Sequence, residues 1–390
     1  MIFCLEDNAM RIYKYLSAAI LVALAVSFLA LPSSAAPDVS AKSAILIEKS
    51  SGDAVYEKNA HERLPMASTT KIMTALIAVE NCDMDAKYEV PAEATGIEGS
   101  SVYLKAGETL TMRELVMCLM LESANDAATA IALLTAGSIE GFAGMMNDKA
   151  SELGLNDTHF DNPHGLDSAE HYTTAADLAH LTAYALDNAD FREIVSTKNA
   201  TVTLHDGEGV RMLGNHNRLL RSYDGCIGVK TGFTKKSGRC LVSSAERDGV
   251  TLIAVTLNAP DDWNDHRAML DYGFTQYKCV VLAEPGQFSC VLPVAGAADG
   301  CEAVAVTNRD GLSVVLRCGV DEIYGASDVS ATVETSGLLF APIDKGDEVG
   351  CVIFRKDGKT IGTLPLYAEM TVSAPVKEKT IIEKIKAIFG

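Results

Sequence analysis

Three short patterns in this chain bring together residue types that could run nucleophilic chemistry. Ser68-Thr69-Thr70-Lys71 is a Ser-x-x-Lys, Ser123-Ala124-Asn125 a Ser-x-Asn, and Lys230-Thr231-Gly232 a Lys-Thr-Gly. A serine hydroxyl is a weak nucleophile until a base within hydrogen-bond reach takes its proton. On a helix, positions i and i+3 share a face, so the Lys71 amine would stand beside the Ser68 hydroxyl. Lysine serves as that base only when its ammonium is destabilised, by burial, by a second cation or by the positive end of a helix. A helix N-terminus also offers free backbone N–H groups to a developing oxyanion. Ser123 and Asn125 put a hydroxyl and an amide in a connection between two apolar stretches, from which both could point into a cleft. Lys230 and Thr231 pair a cation with a hydroxyl, suited to holding a carboxylate. Each pattern also has a plainer reading: Ser-x-x-Lys occurs on ordinary surface helices, and Ser123 or Asn125 could simply cap a helix.

The elements that must position these residues are legible in outline. Pro65 fixes the backbone ahead of the first pattern, and the apolar run 72–79 predicts a helix whose first turn carries Ser68. Before it, residues 43–48 alternate and are rich in strand formers. The turn Ser50-Ser51-Gly52-Asp53 then leads into a returning strand at 54–56. Periodicity predicts helices over about 111–121, 138–153, 174–186 and 262–277. Residues 201–204 and 210–213 read as a hairpin, and 225–232 as a strand ending in Lys-Thr-Gly, whose glycines admit close backbone approach. Residues 239–245 and 251–257 read as strands joined by Asp248-Gly249. From 279 to 372, short β-rich segments alternate with Gly, Asp and Asn turns, which predicts a separate all-β domain.

The chain has 390 residues, enough for two or three domains, and 48% of them are hydrophobic. A formal net charge of -19 argues against nucleic acid as a partner, because phosphate binding needs a basic face. The N-terminus reads as a removable secretory signal. Arg11 and Lys14 precede an apolar run over 16–31, and the small residues Ser33, Ser34, Ala35 and Ala36 follow. A retained signal anchor is the rival reading, but the run is short for a span. Cys4 would leave with the signal, and nine irregularly spaced cysteines would remain, which is no disulfide framework. The eight histidines show no metal-ligand spacing. At the other end, Ile381, Ile382, Ile385, Ile388 and Phe389 fall on one helical face, with Lys377, Lys379, Lys384 and Lys386 around them. That pattern suits a helix lying in a membrane surface, or one docked on its own domain.

The three patterns occur once each and in one order, 55 (68 to 123) and 107 (123 to 230) residues apart. Penicillin-binding proteins and β-lactamases share this set. The stretches Met66 to Lys71, Ser123 to Ala128, Asn162-Pro163-His164-Gly165-Leu166-Asp167 and Gly228 to Thr234 together resemble the low-molecular-mass D-alanyl-D-alanine carboxypeptidases. These are serine peptidases similar to penicillin-binding protein 5, and the likeness runs from about residue 40 to the C-terminus.

The resemblance implies an α+β fold. A β-lactamase/transpeptidase-like domain (37–277) would follow a signal peptide (1–36), and an all-β domain (278–372) and an amphipathic membrane-surface helix (373–390) would complete the chain. It implies hydrolysis of the terminal D-alanine from peptidoglycan stem peptides through a Ser68 acyl-enzyme, covalent inhibition by β-lactams, and a role in cell-wall synthesis and cell shape. It implies neither cofactor nor metal, and a place at the outer face of the cytoplasmic membrane or in the cell-wall space. Lys71 would take the Ser68 proton, and Ser123 would relay a proton to the departing amine. Asn125 would bond the substrate amide or Lys71, and Lys230 and Thr231 the terminal carboxylate. Gly232 would line the substrate site, and the N–H groups of Ser68 and Phe233 would form the oxyanion hole. Two other functions fit the same patterns: a β-lactamase, and a sensor that is acylated without turnover. Glu152-Leu153-Gly154-Leu155-Asn156 matches the deacylating Glu-x-x-Leu-Asn of class A β-lactamases. Its place at the end of a helical stretch instead reads as a surface glutamate.

Overall fold

The computed structural model describes residues 36–203, 209–318, 329–335 and 337–375. Residues 1–35 of the expected signal and 376–390 of the expected tail helix lie outside the described residues. Strands β1 (Ser43–Glu48), β2 (Ala54–Lys58), β3 (Lys87–Glu89), β4 (Thr109–Thr111), β5 (Asn199–Thr203), β6 (Val210–Gly214), β7 (Cys226–Thr234), β8 (Gly238–Arg247) and β9 (Val250–Leu257) occupy the first two thirds of the chain. Five of them form an antiparallel sheet in the order β2-β1-β9-β8-β7. The Asp248-Gly249 turn joins β8 to β9 with φ of 48° and 78° at its two residues, the left-handed pair that a two-residue hairpin requires.

The alternation read in residues 43–48 does not mark a half-exposed strand: all six residues of β1 are buried. The sheet is covered on both faces, so alternate side chains enter two different cores. Ile45, Ile47, Ile253 and Val255 join one apolar cluster; Ala44, Leu46, Leu252 and Ala254 join another. The second cluster is closed by Met269 and Leu270 of the Asp262–Gln276 helix. The first is closed by a helical lobe comprising Lys71–Asn81, Met112–Leu121, Asn125–Ala136, Ile139–Glu152, Ala175–Ala185 and Ala189–Ser196. Side-chain caps start four of these helices: Thr111 (reciprocated by Glu114), Ser138, Thr174 and Asn188. Each such cap stabilises by about 1 kcal/mol. Glu152 is an exposed helix residue paired with Lys149 at 2.8 Å.

Beyond the Asp262–Gln276 helix the described chain is sheet-rich. Its strands are β10 (Tyr277–Ala283), β11 (Ser289–Ala295), β12 (Ala303–Thr307), β13 (Leu312–Arg317), β14 (Val329–Glu334), β15 (Leu339–Phe340), β16 (Glu348–Lys356) and β17 (Lys359–Ala368). Six of them run in the order β14-β16-β17-β12-β11-β15, and β10 pairs with β13. A third apolar cluster, including Val304, Val306, Val352 and Leu366, sits wholly within this region. The nine cysteines among the described residues are free.

Candidate active site

Ser68 sits in a turn tighter than the expected first α-helical turn. Ala67–Thr70 is a 3-10 turn, and the α-helix proper starts at Lys71. Two hydroxyls tighten the turn by donating to backbone carbonyls three residues back: Thr69 to Met66 at 2.6 Å and Thr70 to Ala67 at 2.8 Å. Ala67 enters it with φ of +48°, a left-handed conformation that costs a residue with a Cβ on the order of 1 kcal/mol.

The Lys71 side chain is fully buried, and its amine is shared among three oxygens. Nζ lies 3.0 Å from Ser68 Oγ, 2.7 Å from Asn125 Oδ1 and 2.6 Å from the His164 carbonyl. Burial, and then the nearby Lys230 cation, hold the Lys71 pKa well below the ordinary lysine value; Asp126 opposes them. The His164 and His171 imidazoles are lowered to about 4, chiefly by burial.

The other two patterns converge on this pair. Asn125 opens the Asn125–Ala136 helix, whose N-cap, Ala124, makes no side-chain cap bond, so neither Ser123 nor Asn125 serves as a cap. Instead the Asn125 amide accepts from Lys71 and donates to the Glu98 carbonyl at 2.6 Å. Ser123 is buried, has φ of +59°, and its hydroxyl makes no hydrogen bond to a described residue. On the sheet side, β7 is an edge strand. A Cβ added at Gly232 would lie 3.0 Å from the Ser68 nitrogen, so glycine lets the strand back up against the nucleophile turn. Lys230 is buried, and its ammonium donates to the Thr231 carbonyl at 2.9 Å. Burial lowers its pKa to about 7. Phe233 is 66% exposed at the strand's outer end.

Several residues of the site were not singled out from the sequence. Asp126 is buried and accepts from the Ser101 hydroxyl at 2.6 Å and from the Val102, Leu104 and Ala127 N–H groups, which pins the loop ahead of β4. The loop 161–171 straps the nucleophile turn. Asn162 Oδ1 accepts from the N–H groups of His164 and Gly165, a local turn that leaves the His164 carbonyl facing Lys71. The Pro163 carbonyl accepts from Thr74 at 2.6 Å, and His171 meets Thr70 at 2.7 Å. The loop contributes backbone carbonyls, which no side-chain pattern marks; the stretch Asn162 to Asp167, part of the family resemblance, was its one visible trace. At its far end Asp167 accepts from Thr234 at 3.1 Å, tying the loop to the end of β7.

Chemically, this arrangement can activate a serine with a buried amine, and it places a second buried lysine near enough to depress the first one's pKa. Comparison with known proteins agrees. The family model for D-alanyl-D-alanine carboxypeptidase matches residues 31–261, and that for the penicillin-binding protein 5 C-terminal domain matches residues 303–374. The D-alanyl-D-alanine carboxypeptidase DacF of Bacillus subtilis is 34% identical over 84% of this chain and 85% of its own. DacA of Escherichia coli is 31% identical over 90% of this chain and 89% of its own. Among solved structures, the carboxypeptidase DacD from Francisella tularensis is 27% identical with a TM-score of 0.60, covering 88% of this chain and 96% of that one. The Streptomyces K15 DD-transpeptidase is 34% identical with a TM-score of 0.59, over 62% of this chain and 99% of that one. The fold and the Ser–Lys pair define a serine acyl-transfer protein of the penicillin-binding kind. The chain belongs to the D-alanyl-D-alanine carboxypeptidase family.

Proposed function

We propose that Ser68 is the nucleophile of a serine-type D-Ala-D-Ala carboxypeptidase acting in peptidoglycan metabolism, with Lys71 as its base. Ser68 Oγ attacks the carbonyl carbon of the penultimate D-alanine while its proton passes to Lys71. The N–H groups of Ser68 and Phe233 receive the oxyanion. The peptide C–N bond then breaks as Ser123 relays the Lys71 proton to the departing D-alanine amine, giving its own hydroxyl proton and taking one back from Lys71, which returns to the neutral amine. Water hydrolyses the Ser68 ester and frees the shortened stem peptide. Asn125 orients Lys71, while Lys230 and Thr231 hold the terminal carboxylate beside Gly232. A β-lactam carries a carboxylate and a strained amide, so it would occupy the same groups and remain as an acyl-enzyme.

The single observation that carries this reading is the fully buried Lys71 amine, 3.0 Å from Ser68 Oγ, with the Asn125 and His164 oxygens as its other partners. Steady-state release of D-alanine from an N-acylated peptide ending in D-Ala-D-Ala tests it. Many turnovers, abolished by Ser68→Ala, are expected. A single stoichiometric burst would mark a non-turnover sensor, and rapid clearance of a chromogenic cephalosporin would mark a β-lactamase. The same proposal includes removal of residues 1–36 and action in the cell-wall space. Residues 37–277 would be the catalytic domain, 278–372 an all-β spacer, and 373–390 a membrane-surface anchor.

A further inference from the structure

The loop 161–171 touches the nucleophile turn at a second place, through two side chains that the mechanism above leaves unused. Thr70 and His171 are both buried. The Asp161 backbone N–H reaches His171 Nδ1 at 3.0 Å, His171 Nε2 meets Thr70 Oγ1 at 2.7 Å, and Thr70 Oγ1 meets the Ala67 carbonyl at 2.8 Å. Every link has one permitted direction. A backbone N–H can only donate, so Nδ1 is bare and the neutral ring carries its hydrogen on Nε2. That hydrogen goes to Thr70 Oγ1, which leaves the hydroxyl hydrogen for the Ala67 carbonyl. Phe160 packs edge-on to the imidazole at 5.9 Å and fixes its plane.

The chain of bonds ends on a peptide group with a second function. The Ala67 C=O and the Ser68 N–H belong to one planar unit, so the direction of the carbonyl sets the direction of the N–H. Ala67 holds a strained φ of +48°, which persists only where the surroundings fix it. Gly165 is part of that bracing: a Cβ there would lie 2.0 Å from the Ala67 oxygen, so the loop backbone closes on this peptide from the side. We propose that His171 is a positioning residue that acts through Thr70 and the Ala67 carbonyl to aim the Ser68 N–H at the oxyanion. This rests on the reading of Ser68 as nucleophile and oxyanion donor. A donor that strengthens its bond only in the transition state affects the chemical step and leaves ground-state binding alone.

The test uses the mature enzyme and benzylpenicillin in stopped flow, which separates the non-covalent dissociation constant from the acylation rate constant. Thr70→Val keeps the shape of the side chain and removes the hydroxyl. It should lower the acylation rate constant roughly 10-fold to 100-fold, less than the roughly 10²- to 10³-fold cost of removing an oxyanion donor outright because the N–H is misaimed and not lost, and leave the dissociation constant within about twofold. Thr70→Ser restores the hydroxyl and should recover most of the rate. His171→Gln, which can still donate to Thr70, should fall between. Mass spectrometry separates the two ideas: an adduct on Ser68 in Thr70→Val keeps the nucleophile assignment, and its absence in wild type removes that assignment. Thr70→Val acylating at the wild-type rate overturns the positioning role, as does a loss confined to the dissociation constant or a failure of Thr70→Ser to restore the rate. Should His171→Gln not fold, the Thr70 pair still decides.

Discussion

Lys71 Nζ lies 3.0 Å from Ser68 Oγ, and the amine's other two partners decide which way that hydrogen bond runs. The Asn125 Oδ1 and His164 carbonyl oxygens, at 2.7 and 2.6 Å, can only accept. As an ammonium, Lys71 donates to all three oxygens. As a neutral amine it has two hydrogens, which those two acceptors take, and its lone pair is left facing the Ser68 hydroxyl. Loss of one proton therefore converts the pair from Lys-to-Ser donation into Ser-to-Lys donation, the arrangement that general-base attack requires.

The acylation rate constant should therefore rise with pH as Lys71 loses its proton, and level off above its pKa. Burial and Lys230 set that pKa well below the ordinary lysine value, so the rise should fall below the pH at which a solvated lysine titrates. Lys71→Arg keeps its charge at any ordinary pH and should acylate slower by about 10² to 10⁴-fold. Stopped-flow acylation from acid to alkaline pH checks both; a rate independent of pH across that whole range would count against Lys71 as the base.

Lys230 titrates in the opposite sense. Its pKa of about 7 means that the ammonium, the form that attracts a carboxylate, is lost above neutrality in the free enzyme. A bound carboxylate restores it, so ligand binding at pH 8 should take up close to one proton. The dissociation constant should then weaken by about tenfold per pH unit above 7. Calorimetry of Ser68→Ala with a D-Ala-D-Ala peptide in two buffers of different ionisation enthalpy reads the uptake directly. Lys230→Ala should abolish the uptake and weaken binding by about 2–5 kcal/mol, the cost of losing one desolvated charged partner. Equal heats in both buffers would remove Lys230 from the carboxylate site.

Asp126→Asn should destabilise the protein by on the order of 3 kcal/mol. Oδ2 accepts from the Ser101 hydroxyl and the Leu104 N–H, Oδ1 from the Val102 and Ala127 N–H groups, so an amide nitrogen at either place would face donors only. Because Asp126 raises the Lys71 pKa, the acid limb of the acylation profile should move to lower pH. Chemical denaturation and the same stopped-flow series check the two effects. A limb that moves the other way would contradict the assigned coupling.

Deleting residues 374–390 should release the mature protein from anionic liposomes and leave D-alanine release from soluble peptides unchanged. The sequence spacing of the five apolar residues at 381, 382, 385, 388 and 389 would set them on one stripe of a helix, with four lysines around it. Each lysine adds about 1 kcal/mol near an anionic surface, offset in part by Glu378 and Glu383. Co-sedimentation measures it; equal pelleting of both forms would leave the tail a helix docked on its own domain.

What the sequence revealed and what it hid follow one physical division. The grouping of Ser68, Lys71, Asn125 and Lys230 was legible because a hydroxyl, an amide and two amines in short patterns are side-chain chemistry that a sequence displays, and the fold does bring Asn125 and Lys230 to Lys71. The stretch Asn162 to Asp167 carried part of the family resemblance, but its grip on the nucleophile turn was hidden, because it works through the His164 and Pro163 carbonyls, and any residue carries a carbonyl. Asp126 escaped because most of its partners, the Ser101 hydroxyl and the Val102 and Leu104 N–H groups, lie in a loop more than 20 residues away. The two-sided burial of β1 was misread as alternation, since Ile45 and Leu46 enter different cores that only the folded sheet separates. The 3-10 turn at Ala67–Thr70 was read as α-helix because the tightening comes from Thr69 and Thr70 hydroxyls bonding back, a local competition that the apolar period does not report.

The central claim is that Ser68 forms the acyl-enzyme. Peptide mapping by mass spectrometry of the mature protein after brief exposure to benzylpenicillin tests it most directly. The account predicts one adduct, on the peptide containing Ser68, and none in Ser68→Ala. An adduct on any other serine, Ser123 included, would contradict it.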